Sequence, residues 1–323
     1  MMRSSSPLSI RERFFPRHTH DRVGSKVLFA LTLIPVILLV GVALGLLIKS
    51  LPLLREQNLW GLLSGTQWKP MKGQFGFLPF ISATLWVTLL ALVIAVPPSI
   101  LTALYLAEYA SKFLRALMRP VLDLLAAIPS VIYGVWGMLV IVPWVEKKML
   151  PFADSFAGGI PLLQTDNPTG FGILAGAVVL AVMVAPFIIA VTNEVLIAVP
   201  DGIRQASLAL GATRYYTIRK VLVPSTLPGI FASVVLGFSR ALGETMAVLM
   251  VVGNVVQMPH SILDAAYPLP ALIANNYGEM MSIPMYDSAL MGAALILLGM
   301  VLILNVASTL ILRRLMGRVR RAW

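Results

Sequence analysis

The chain has 323 residues, of which 58% are hydrophobic and only 12% charged, a balance that excludes a water-solvated surface and describes a chain solvated largely by lipid. The absence of cysteine excludes disulfides, thiolate metal ligation and thiol catalysis. A net charge of +11 would suggest nucleic acid in a soluble protein, but here the basic residues fall in short runs between apolar stretches and read as topology signals, so no nucleic-acid partner is expected.

Residues 1–26 form a polar, basic segment expected to be a cytoplasmic tail. Six stretches then reach the roughly 20 apolar residues that a helix needs to cross a bilayer core. The first, Val27–Ile48, is expected to be a retained helix, because its length and the long polar segment before it do not suit a cleaved signal sequence. An external loop, 49–77, leads to the remaining five, residues 78–312. These are the second at Leu78–Ala107, the third at Leu124–Val145, the fourth at Phe171–Thr192, the fifth at Leu227–Met258 and the sixth at Ser288–Leu312. A basic tail, 313–323, closes the chain. Pro97, Pro98, Pro129 and Pro186 lie inside spans, where each removes a backbone donor and is expected to kink its helix.

Lysine and arginine divide unevenly between alternate connections. Eighteen lie in the two tails and in the connections after the second and fourth spans, against six in the other connections. The basic excess marks the cytoplasmic side, so both termini are expected there.

The connection between the fourth and fifth spans, 193–226, does not read as a plain linker. Asp201 is placed to cap a short helix, Gly211 to end it in a left-handed turn, and Pro224 to stop the next helix before the membrane. Ile203, Ala206, Leu208 and Leu210 give it more apolar character than a solvated loop needs, which suggests a partner surface.

Gln205-Ala206-Ser207, then Gly211, then Val221-Leu222-Val223-Pro224 resemble the loop of ABC-importer permeases that reads Glu-Ala-Ala, three residues, Gly, nine residues, Ile-x-Leu-Pro. The spacing matches throughout, while Gln205, Ser207, Val221 and Val223 depart from the consensus. The resemblance implies that Ile203, Gln205, Ala206, Leu208 and Gly211 belong to a coupling helix docking on an ATPase subunit. Trp68-Lys69-Pro70, Phe75–Ile81, Ile128–Gly134, Arg240–Val248 with Gly253-Asn254, and Ile273–Glu279 are similar to the C-type permease subunits of bacterial phosphate-specific importers. That resemblance implies an all-α, polytopic chain with the type I ABC-importer permease fold in a bacterial inner membrane. Its implied partners are a homologous second permease, two ATPase subunits carrying ATP and Mg, an external phosphate-binding protein and inorganic phosphate. No cofactor is expected on this chain, which lacks a Gly-x-x-x-x-Gly-Lys phosphate cradle.

Arg240 and Glu244 stand four residues apart inside the expected fifth span, so an unbroken helix would set them on one face, extended by Ser233, Gly237 and Ala241. A charge at mid-membrane costs about 3 kcal/mol unless paired or hydrated, which makes the pair a functional candidate. The arginine fork suits a tetrahedral oxyanion, and the expected substrate path is lined by Arg240, Glu244, Ser233 and Gly237. A salt bridge fastening the fifth helix to a neighbour stays open as the alternative. So do sulfate or molybdate as cargo, and a secondary transporter driven by an ion gradient. No catalytic or metal-binding residue is expected, since the spans hold no nucleophile with a base and His18, His20 and His260 are scattered.

Overall fold

A computed structural model describes residues 17–156, 161–279 and 282–321. Six helices among them are long and apolar enough to cross a membrane: Gly24–Glu56, Leu78–Glu108, Ser130–Ser155, Ile173–Ile197, Arg214–Leu242 and Tyr286–Arg314. The protein is a multi-pass membrane protein, and helices suit it because each satisfies its own backbone groups where water is absent. The tail expected over residues 1–26 lies outside the described residues up to position 16.

The core is built on the second and fourth spans. Ala83, Val87, Ala91 and Ala95 recur every four residues along the second, buried against Val179, Leu180, Met183 and Val184 of the fourth. Small side chains let the two helices approach closely, which gains dispersion contacts that lipid does not supply. The first and sixth spans pack on one another at the periphery. Their outward leucines, isoleucines and valines are exposed, as expected of faces solvated by lipid.

At one end of the bundle the strands Trp68–Lys69 and Gln74–Phe75 pair as a two-stranded hairpin. Trp68 sits 5.3 Å from Phe75, 5.6 Å from Phe77, 5.0 Å from Phe80 and 6.2 Å from Tyr286, ring centroid to centroid. This cluster ties the starts of the second and sixth spans together, giving the motif around Trp68 a packing role.

Two spans depart from the sequence expectation. The third does not begin at Leu124: a separate helix, Lys112–Ala127, precedes it, and the chain is extended at Ile128 and Pro129 before the span starts at Ser130. Proline disfavours helical geometry in the residue before it and lacks the donor that would continue the ladder, so the proline ends one helix where a kink was expected. The fifth span begins earlier, at Arg214, and ends earlier, at Leu242. Pro224 does not stop a helix. A π-helical turn at Ile218–Leu222 precedes it and the helix runs on through Val223–Leu242, the wider turn accommodating a proline near its end.

Candidate functional site

The fifth span breaks where its charges lie. Gly243 closes the helix, and a four-residue helix, Met246–Leu249, follows. Glu244 Oε1 accepts the Ala247 amide at 3.3 Å, satisfying one of the free donors at the start of that short helix. Gly253 and Asn254 then turn the chain with φ of 91° and 54°, the left-handed region in which glycine is unstrained and asparagine is tolerated. The Asn254 side chain holds the turn by donating to the Leu249 carbonyl at 2.8 Å.

The interruption corrects the expected pairing of Arg240 with Glu244. The helix stops between them, so they do not share a face, and the ion pairs among the described residues lie elsewhere. Arg240 is exposed, with its guanidinium carbon 5.6 Å from the centre of the Phe187 ring on the fourth span and Nη2 donating to the Ala126 carbonyl at 3.4 Å. It therefore touches both the fourth span and the end of the helix before the Pro129 break. Glu244 is half-buried and borders a small cavity with Thr84, Thr88, Leu180 and Pro268.

The expected polar stripe is also corrected. Ser233 is fully buried, its Oγ 2.7 Å from Thr192 Oγ1 of the fourth span and donating to the Ile230 carbonyl at 2.7 Å. A Cβ on Gly237 would come within 2.7 Å of Ile188. These small residues bring the fifth helix against the fourth and form a helix contact inside the subunit, with Ala241 buried on the same side.

At the end of the bundle opposite the hairpin, the connection between the fourth and fifth spans forms a short helix, Asp201–Ala209, with no buried residue. Gly211 follows with φ of 83°, the left-handed turn the sequence implied. Asp201 is the first helical residue, and its carboxylate accepts Arg204 Nη1 at 3.2 Å, in place of the backbone cap expected of it. Ile203, Gln205, Ala206, Leu208 and Gly211 are all exposed. Ile203, Ala206 and Gly211, with Leu210, Tyr216 and Val221, line an open groove of about 850 Å³. Gln205 and Leu208 lie outside it.

Two arginines that sequence reading counted only as topology signals are bonded into the adjoining helix ends. Arg115 donates to the carbonyls of Leu106 and Ala107 at 3.0 and 2.8 Å, satisfying the end of the second span. Arg204 bonds to Glu108, the last residue of that span, at 3.0 Å. Glu108, a lone acid closing an apolar span, was the available signal. Asp264 accepts from the Thr165 hydroxyl and from the His260 and Ser261 amides at 2.6, 2.9 and 2.9 Å.

The described architecture is that of type I ABC-importer permeases. Residues 99–321 match the family described as "Binding-protein-dependent transport system inner membrane component". The chain is 38% identical over 283 residues to a protein of Xylella fastidiosa (strain 9a5c) named "Phosphate transport system permease protein PstC", covering 87% of this chain and 85% of that one. A protein of the same name from Haemophilus influenzae is 37% identical over 292 residues, covering 90% of each. Among solved structures, a bacterial ABC transporter involved in the import of the acidic polysaccharide alginate superposes with a TM-score of 0.58 at 17% identity, over 92% of this chain and 99% of that one.

Proposed function

Because the chain belongs to the binding-protein-dependent transport system inner membrane component family, and within it to the PstC-type permeases, we propose that it is one permease subunit of an ATP-driven importer of inorganic phosphate. The observation that carries the reading is the identity with proteins named as phosphate transport permeases over most of both chains. In this reading a homologous second permease completes the path, two ATPase subunits bind below it, and an external phosphate-binding protein delivers the anion. Both termini and the helix Asp201–Ala209 face the cytoplasm, which the basic excess in those connections supports.

The division of labour follows from the residues. The docking helix presents Ile203, Ala206, Leu208 and Leu210 to the ATPase, and Gly211 sets its angle to the helix that leads into the fifth span. When ATP closes the ATPase pair, that helix is displaced and the permeases open outward to accept phosphate. Arg240 offers the anion a fixed positive fork at the point where the fifth helix unwinds, and backbone groups near such a break are free to bind an ion. Glu244 holds the break in shape through Ala247 and keeps a negative charge near the path, so that phosphate is not bound too tightly to leave. Ser233 and Gly237 serve that site from behind by fixing the arginine-bearing helix on the fourth span.

Uptake of labelled phosphate by cells lacking their own importer, supplied with this chain and its three partner proteins, tests the assignment. Saturable uptake that excess sulfate does not compete is expected. Sulfate or molybdate uptake in its place would contradict the substrate, and uptake without the ATPase would contradict the coupling.

A further inference from the structure

The docking helix Asp201–Ala209 buries none of its own residues, yet one of its side chains is enclosed. Arg204 is only 17% exposed and its partner Glu108 only 7%. The guanidinium satisfies groups from three elements at once. Nε and Nη2 both reach Glu108 Oε1 at 3.0 Å, at the end of the second span. Nη2 also donates to the Leu196 carbonyl at 2.7 Å, and Nη1 to the Val199 carbonyl at 2.6 Å, at the end of the fourth span. Nη1 reaches Asp201 on the docking helix itself at 3.2 Å. One planar cation thus closes the carbonyl ends of one span, pairs with the terminal carboxylate of another and fixes the helix that carries it.

We propose that Arg204 and Glu108 form the joint through which displacement of the docking helix reaches the second and fourth spans, a positioning role that rests on the permease reading above. Those two spans are buried against each other along the core, so a displacement entering at their shared end moves them together. Among the described residues, the other side-chain tie of the docking helix, Ser207 Oγ to Thr217 Oγ1 at 2.9 Å, leads only into the fifth span and is a neutral pair. Charge-assisted hydrogen bonds away from water are stronger and shorter than neutral ones, and the arginine fork holds several partners in one plane where a lysine ammonium on its flexible stem does not. A loosened joint lets the ATPase move the docking helix without moving the spans.

The test uses the whole complex in vesicles, with ATP hydrolysis and phosphate uptake measured on the same preparation for wild type, Arg204→Lys and Glu108→Gln. Both substitutions are near in volume and keep the groups polar, and binding of the ATPase is followed by co-purification. The expected result is that both variants retain the ATPase and hydrolyse ATP, while phosphate moved per ATP falls about tenfold or more, the scale set by weakening a desolvated, hydrogen-bonded ion pair. A wild-type ratio of phosphate to ATP in both variants overturns the proposal. Loss of the ATPase from both complexes also overturns it, because the pair would then hold the docking surface together and not transmit its motion. If the wild-type complex itself shows no ATP-dependent phosphate uptake, it is the permease reading that fails, whatever the variants do.

Discussion

At the scale of single residues, the charges in the fifth span and the small residues before them divide into two tasks. Arg240 is the exposed cation at a break between helices, and Arg240→Gln is expected to abolish phosphate uptake while the protein still inserts and assembles. Arg240→Lys is expected to be intermediate, since it keeps the charge but loses the fork. Ser233 and Gly237 are packing residues. Ser233→Ala leaves Thr192 Oγ1 without its 2.7 Å partner and should cost about 1 kcal/mol, seen as a lower midpoint of thermal unfolding in detergent, with the apparent KM for phosphate unchanged. Gly237→Val drives a branched side chain into Ile188 and should cost about 1–3 kcal/mol. A changed KM in Ser233→Ala at wild-type stability would return that residue to the path. Residue type alone does not separate these tasks. Four-residue spacing identifies a face only while the helix continues, and the helix ends before it reaches Glu244.

Among the elements, six spans and a helix-glycine-helix connection were legible because they rest on length, hydropathy and a left-handed position that glycine fills without strain. The break after Leu242 was not, since Ala247, Val248, Leu249, Met250, Val251 and Val252 continue the apolar run through it. Hydropathy reports where a segment is solvated, not whether its backbone stays helical, and Ala247, Val248, Val251 and Val252 are buried in the core cluster, packed against protein where a non-helical backbone is tolerated at membrane depth. Likewise Pro129 was read as a kink and is a full stop, while Pro224 was read as a stop and is absorbed by the π turn. Which of the two a proline does depends on neighbouring packing that a single sequence does not display. Gly211→Ala tests the docking element at this scale. Nothing lies within 4 Å of the added methyl, so the cost comes from the positive φ alone, about 1–2 kcal/mol. The expected outcome is weaker retention of the ATPase on co-purification and proportionally lower uptake, with Arg240 and its surroundings unaffected.

Across the whole molecule, the helices fall into a tightly packed unit built on the second and fourth spans, joined by the fifth, and a peripheral pair formed by the first and sixth. The site candidates sit on the packed unit at two depths, the Arg240 break within the bundle and the exposed docking helix at its end. In the proposed reading the ATPase closes on one and the anion passes the other, and an alternating-access machine requires such distance between its coupling surface and its substrate path. The central claim is that this coupling carries phosphate past Arg240. The measurement that tests it most directly is ATP-driven accumulation of labelled phosphate by vesicles holding the complete complex, with wild-type chain or Arg240→Gln, and with ATP or a non-hydrolysable analogue. Accumulation that needs both hydrolysable ATP and Arg240 is the predicted result. Equal accumulation by the Arg240→Gln complex, or accumulation without ATP hydrolysis, would contradict it.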